Sequence, residues 1–218
     1  MKKNVIISPS LLACDFSKIG DELKRIEDAG AEYIHLDVMD GIFVPNISFG
    51  QPVIKSLRKI SGLVFDVHLM ITDPIRYIDS FADAGADIIT VHLESADNIA
   101  RVLEYIKSKR IKASLSIKPK TPVAELKPYL PLLDMILIMS VEPGFGGQSF
   151  IEESTEKIRQ TKELTESLGY GNIDIEVDGG ISGKNVRQVI EAGANVIVAG
   201  SSVFRSDNIK ETVAALRG

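Results

Sequence analysis

The sequence predicts an α/β fold of the (β/α)8 type, a TIM barrel, as one catalytic domain over residues 1–218. Three observations predict it. One phrase recurs: DAGAEYIHL (28–36), DAGADIITVHL (83–93) and EAGANVIVAGS (191–201) each end a helical pattern in Ala-Gly-Ala and enter a β-branched run. Its glycines, Gly30, Gly85 and Gly193, lie 55 and 108 residues apart. Both spacings are near multiples of about 27, so the chain holds about eight such units. Strand and helix patterns also alternate throughout, with no long linker or low-complexity tract. Finally, polar residues suited to chemistry follow many strands, whereas an open doubly wound sheet gathers them at one switch point. That open sheet is the alternative with the same alternation, but no GxGxxG follows the first strand.

Taken in order, the first strand is predicted at 5–10, ending in Ser10. FSKIGDELKRIEDAG (16–30) then spaces its apolar residues three and four apart, as an amphipathic helix does, and Gly30 can take the left-handed cap without a Cβ penalty. The second strand, 33–38, carries His35 and Asp37; residues two apart on a strand share a face, so imidazole and carboxylate project together. The third, 64–69, carries His68, and Asp73-Pro74 predicts a helix start after it, with Asp as cap and Pro at the first position. PIRYIDSFADAG (74–85) continues that helix to Gly85, and the fourth strand, 87–92, ends in His92. The remaining strands are predicted at 112–117, 134–139, 173–178 and 195–199, with Asp178 ending the seventh and Gly193 capping the helix before the eighth.

Barrel chemistry sits at the carboxyl ends of the strands, which gathers Ser10, His35, Asp37, His68 and Asp178 on one rim. Two imidazoles and two carboxylates make a donor set for one divalent transition metal per subunit, with zinc, iron(II), manganese and cobalt equally suited. Glu176, two residues before Asp178, is expected to point the same way, either to orient a histidine ligand or to serve as a satisfied core carboxylate. His92 is read as a packing or supporting residue, since four ligands are already assigned.

Three loops read as anion cradles. VEPGFGGQSF (141–150) offers Gly144, Phe145, Gly146 and Gly147, whose glycines are expected to adopt positive φ and expose backbone amides. DGGIS (178–182) and AGSSVF (199–204) follow strands seven and eight, where barrels build phosphate sites with a short extra helix. Lys and Arg are nearly absent there, so amide groups would have to hold the anion. A metal beside a phosphate site suits a small phosphorylated hydroxy-ketone, with one carboxylate taking a carbon-bound proton and another returning it.

Composition excludes other classes. A net charge of −5 and a pI near 5.3 give no footprint for nucleic acid, and no apolar run approaches the length of a membrane span. MKKNVIISPS does not read as a secretory signal, and the single cysteine, Cys14, excludes an internal disulfide. A cytoplasmic location is the expectation.

SPSLLACDF, HLDVMDGIFVPNISFG, DVHLM, MSVEPGFGGQSF, EVDGGI and AGANVIVAGSSVF, in order from near residue 8 to near 204, closely resemble the motifs of the ribulose-phosphate 3-epimerase family. The resemblance implies a metal-dependent isomerase of carbohydrate metabolism, interconverting D-ribulose 5-phosphate and D-xylulose 5-phosphate in the pentose phosphate pathway. It implies His35, Asp37, His68 and Asp178 as metal ligands, with Asp37 as proton acceptor and Asp178 as donor. It also implies Ser10 and His68 as substrate contacts, Gly144 to Gly147, Gly179, Gly180, Gly200 and Ser201 as lining of the sugar-phosphate site, and a homo-oligomer. Met39, Met70 and Met139 match the family's apolar wall around the reacting carbon. Cys14 stands where many members have Ala and reads as a small buried hydrophobe. Lys118, in SIKPKTP (116–122), stands where many have Asn. The related allulose-6-phosphate 3-epimerases share fold and ligands, but GFGGQ and EVDGGI are the pentose-type forms. A non-catalytic sugar-phosphate sensor would not need both aspartates, and a phosphohydrolase would need activated water beside phosphorus.

Overall fold

The computed structural model describes residues 3–218, so the Met1 and Lys2 of the expected domain lie outside the described residues. Among the described residues there are eight strands: β1 (Ile6–Pro9), β2 (Tyr33–Met39), β3 (Val64–Met70), β4 (Ile88–His92), β5 (Lys112–Ile117), β6 (Met135–Met139), β7 (Asp174–Asp178) and β8 (Val196–Ala199). Every predicted strand is found within one residue at each end. All neighbours are parallel, in the order β1-β8-β7-β6-β5-β4-β3-β2. The ring closes through a parallel bridge between Ser10 and His35 and the Glu32 amide donating to Ile7 O at 3.3 Å. The eight parallel strands form a (β/α)8 barrel.

Helices return the chain between strands: α1 (Ile19–Asp28), α2 (Gln51–Arg58), α3 (Ile78–Ala84), α4 (Ile99–Ser108), α5 (Ser154–Ser167) and α6 (Val186–Ala192), with α7 (Ser201–Phe204) and α8 (Ile209–Ala215) after β8. Gly30, Gly85 and Gly193 sit at φ of 88°, 102° and 128°, ending α1, α3 and α6 as their repeated phrase predicts. The return from β5 to β6 is instead a 3-10 helix, Val123–Leu132, with Pro128 and Pro131 inside it. Proline lacks an amide proton and clashes with the preceding turn, so this stretch cannot close α-helical hydrogen bonds. The expected start at Asp73-Pro74 is half right. Pro74 opens a 3-10 turn ahead of α3, but Asp73 lies in the left-handed region at φ 51° and its side chain caps nothing.

Strand alternation divides the apolar residues into two sets. Outward-facing Ile34, Leu36, Phe65, Val67, Leu115, Ile136, Val177 and Ile197 pack with Leu23, Ile26, Ile54, Phe81, Leu103 and Ile106 of the helices in one continuous core. Truncating any fully buried leucine here to Ala costs about 2–5 kcal/mol by analogy with measured cores. Inside the barrel the floor is a separate apolar plug of Tyr33, Ile88, Met135 and Val196, with Ile6 and Val64 against it. Above the plug the interior turns polar: Ser8, His35, Asp66, Thr90, Ser114 and Glu176, then Asp37, His68, His92 and Ser116, are all buried. Stability therefore resides outside the ring and beneath it, and polarity is concentrated at the carboxyl ends of the strands.

Candidate active site and metal centre

The pairing of β2 with β3 sets Asp37 opposite His68 and His35 opposite Asp66. His35 Nε2 lies 3.2 Å from His68 Nδ1 and 3.3 Å from Asp37 Oδ1, while His68 Nδ1 lies 3.1 Å from the same oxygen. From β7, Asp178 Oδ2 reaches within 3.9 Å of His35 Nε2. The four sequence-predicted ligands thus offer donor atoms within 4.8 Å of one another. Ser10 also joins them, its hydroxyl donating to Asp37 Oδ2 at 2.6 Å.

Burial raises the Asp37 carboxyl, but the His35 charge and hydrogen bonds from His35 and His68 outweigh it and hold the group far below the carboxylate range. Burial opposes charge on His35 as well. Asp37 and Asp66, on either side of its ring, win, and its imidazole is held well above the usual value. Asp178 is pushed up to about 6 by burial and by the Asp37 charge. A proton on His35 thus balances carboxylates on both sides. Two imidazoles and two carboxylates converging in a buried spot fit a divalent transition metal, which would supply the same positive charge.

Of the two roles open to Glu176, the orienting position is not its own, and neither of its carboxyl oxygens has a hydrogen-bond partner among the described residues. Asp66 holds that position, accepting from His35 Nδ1 at 2.7 Å, whereas Glu176 Oε1 stands at 3.5 Å. Register is the reason, because Asp66 is His35's direct cross-strand partner. Burial and the neighbouring Asp66 charge push the Glu176 carboxyl well above its ordinary range. Asp66 escaped sequence reasoning although its signal was there: it precedes His68 by two, the spacing that links His35 to Asp37. His92 stands outside the donor set, its Nε2 2.8 Å from His68 Nε2, and burial lowers its imidazole to about 4.

A cleft opens above the donors. It is lined by Ser10, Asp37 and Asp178, by Met39, Met70 and Met139, and by Gly144, Phe145, Gly146, Gly147, Gly179, Gly180, Gly200 and Ser201. His35 and His68, fully buried, lie below it. The methionines end β2, β3 and β6, outside the main core, and form an apolar collar over the charged set. Gly144 and Gly147 take positive φ as expected, at 125° and 75°, but Gly146 does not. Gly180 is the tightest position: at φ 66°, an added Cβ would lie 2.4 Å from Phe150 N. The backbones after β6 and β7 therefore touch with no room for a side chain.

The loop after β5, where Lys118 departs from the family pattern, is fixed internally. The half-buried Lys157 ammonium donates to the carbonyls of Lys118, Pro119 and Thr121 at 2.7, 3.0 and 2.7 Å. Cys14 is half-buried, and burial together with the Glu22 and Asp15 charges pushes its thiol up to about 12, which suits packing and not nucleophilic attack.

Comparison with known proteins agrees with this geometry. Solved structures of 3-keto-L-gulonate-6-phosphate decarboxylase from Vibrio cholerae and of a tryptophan synthase α-subunit from Pyrococcus furiosus superpose with TM-scores of 0.75 and 0.74. They cover 99% of this chain at 16% and 17% identity, with 96% and 99% of their own chains covered, a likeness of fold alone. In sequence the chain is 48% identical to ribulose-phosphate 3-epimerase of Synechocystis over 100% of its length and 95% of the relative's. It is 44% identical to that of Bacillus subtilis over 97% and 98%, and 45% identical to the chloroplastic protein of Arabidopsis thaliana over 99% and 77%. Residues 6–204 match the sequence profile of the ribulose-phosphate 3-epimerase family. The chain belongs to the ribulose-phosphate 3-epimerase family, and it is an enzyme acting on a sugar phosphate.

Proposed function

We infer that this chain interconverts D-ribulose 5-phosphate and D-xylulose 5-phosphate as a metal-dependent isomerase, with residues 1–218 as one catalytic domain. The observation that carries this reading is the meeting of two carboxylates from different strands, the buried Asp37 and the partly exposed Asp178, beneath a glycine-lined cleft. His35, Asp37, His68 and Asp178 would hold one divalent ion, zinc, iron(II), manganese or cobalt, whose charge would stabilise negative oxygen developing on the substrate.

The protein's own residues divide the remaining work. The amide groups of the GFGG loop, of Gly179 and Gly180, and of Gly200 and Ser201 would receive the phosphate, since no Lys or Arg among the described residues lines the cleft. Asp37 takes the C3 proton on one face of the substrate, giving a planar enediolate. Asp178, whose carboxyl can carry a proton near neutral pH, returns one on the other face, and the centre inverts. The reverse reaction exchanges the roles. Met39, Met70 and Met139 keep water from the carbanionic carbon.

Incubation with ribulose 5-phosphate in deuterated water tests the reading. Deuterium at C3 of the xylulose 5-phosphate formed is the expected result. Release of inorganic phosphate would mean a hydrolase, and recovery of unlabelled substrate would mean a binding protein.

A further inference from the structure

The loop after β2, residues 40–50, folds back on the strand it leaves. Ser48 anchors it: the hydroxyl donates to the Asp37 carbonyl at 2.6 Å and accepts from the Met39 amide at 3.0 Å. Asp40 braces the near side. Its Oδ1 accepts from the Ile42 and Phe43 amides and its Oδ2 from the Thr72 amide, each at 2.8 Å. An antiparallel bridge between Asp40 and Ile47 closes the turn. The loop is thus a braced arm standing on the strand that carries Asp37.

From that arm Asn46 reaches the loop after β6. Its Nδ2 donates to the Gly144 carbonyl at 2.9 Å. Its Oδ1 accepts from the Ile47 amide at 2.9 Å, and this fixes which end of the side chain faces Gly144, because the reverse orientation would set donor against donor. An added Cβ at Gly144 would stand 3.2 Å from Val44 Cβ and 3.5 Å from Pro45 Cδ, so the two loops meet closely because residue 144 has no side chain.

A carbonyl held in place holds more than itself. The peptide unit is planar and trans, so the Gly144 carbonyl and the Phe145 amide point in opposite directions from one rigid plate. Glycine alone cannot fix that plate, since its backbone is the most permissive of all residues. Asn46 is not among the residues that line the cleft, whereas Gly144 and Phe145 both are. By gripping the carbonyl, Asn46 sets the direction of an amide at the cleft wall.

We propose that Asn46 is a positioning residue for the substrate's phosphate, orienting the Gly144–Phe145 peptide so that the Phe145 amide can donate to the anion. The proposal rests on the sugar-phosphate reading of the cleft given above. A residue that merely fills the gap between two loops needs only its bulk. A positioning residue needs its donor.

Steady-state kinetics of the metal-loaded enzyme with ribulose 5-phosphate separate the two. Asn46→Leu keeps the bulk without the donor, and Asn46→Ala removes both. Each should raise KM roughly 3–10-fold, the worth of one neutral hydrogen bond, with kcat, metal content and circular dichroism retained. Simple gap-filling predicts instead that Asn46→Leu keeps the wild-type KM. A wild type that leaves ribulose 5-phosphate unchanged would overturn the functional reading, and the proposal with it. With an active wild type, any other pattern in a folded Asn46→Leu, whether an unchanged KM or a lowered kcat, would overturn the positioning role alone. Should Asn46→Leu fail to fold, the same split in Asn46→Ala decides the matter.

Discussion

Ser10 donates its hydroxyl to Asp37 Oδ2 at 2.6 Å, and this divides the labour of the carboxylate, because Oδ1 is already shared between His35 and His68. The oxygen held by Ser10 is the one not committed to the imidazoles. Removing the hydroxyl should leave that oxygen unpositioned toward the substrate, impairing Asp37 as a base through its geometry, and leave the donor set intact. A hydrogen bond to a charged group is worth about 1.5–3 kcal/mol. Ser10→Ala is therefore expected to lower kcat/KM by roughly 10–100-fold with metal content unchanged. Unaltered kcat/KM would show that Ser10 does not condition the base.

The two-carboxylate mechanism predicts a distinctive failure. Asp37→Asn and Asp178→Asn should each lose net epimerisation by at least about 10²–10⁴-fold, the range of a positioned acid or base. Each should still exchange solvent deuterium at C3 of one epimer, on the face whose carboxylate survives. Ribulose 5-phosphate should exchange in one variant and xylulose 5-phosphate in the other, with metal content measured alongside. Wild-type epimerisation by metal-replete Asp178→Asn would dismiss it as the second base.

Metal uptake should release protons. Asp37 and Asp66 hold His35 charged, and burial with the Asp37 charge raises Asp178 to about 6. Both groups must be deprotonated to bind. Because the folded value of Asp178 lies above its ordinary 3.8, ionising it destabilises the metal-free fold as pH rises through that interval, and metal binding relieves the cost. Affinity should therefore climb with pH, most steeply below about 6, where two protons leave instead of one. Titration calorimetry in buffers of different ionisation enthalpy counts them, and an affinity independent of pH would contradict this account. Chelation should abolish epimerisation while circular dichroism stays native, since the donors take no part in the main core.

Two glycines should respond differently. An added Cβ at Gly146 meets nothing closer than Leu12 Cδ2 at 3.9 Å, and its φ is ordinary. Gly146→Asp therefore introduces charge without steric conflict, and should raise KM for the phosphorylated substrate steeply while sparing kcat and metal binding. At Gly180 even alanine collides with the Phe150 backbone at 2.4 Å. Gly180→Ala should lower thermal stability by about 1–3 kcal/mol as well as raise KM. An unchanged KM in Gly146→Asp would place the phosphate elsewhere.

Much of this molecule was legible in its residues. Strand ends carry the chemistry of a barrel, so His35, Asp37, His68 and Asp178 could be gathered from their positions alone, whereas the methionines around the same opening followed from the family resemblance. Cross-strand partnership was harder to read. The choice between Asp66 and Glu176 as the partner of His35 depends on which strand lies alongside β2, and in what register. The 3-10 stretch at Val123–Leu132 follows from prolines that were visible but unweighed. Asp73 has the composition of a cap, yet its left-handed backbone directs the side chain away from the amides it would cap.

The ring of strands closes where the two ends of the chain meet, β1 lying against β8 and bridged to β2 at Ser10 and His35. During synthesis, a chain that has emerged only through β4 already owns His35, Asp37 and His68, three of the donors. It lacks Asp178 and every loop placed to receive phosphate. Three of the four candidate ligands are thus made well before the strand that carries the fourth. The site is complete only once the last strand is laid beside the first.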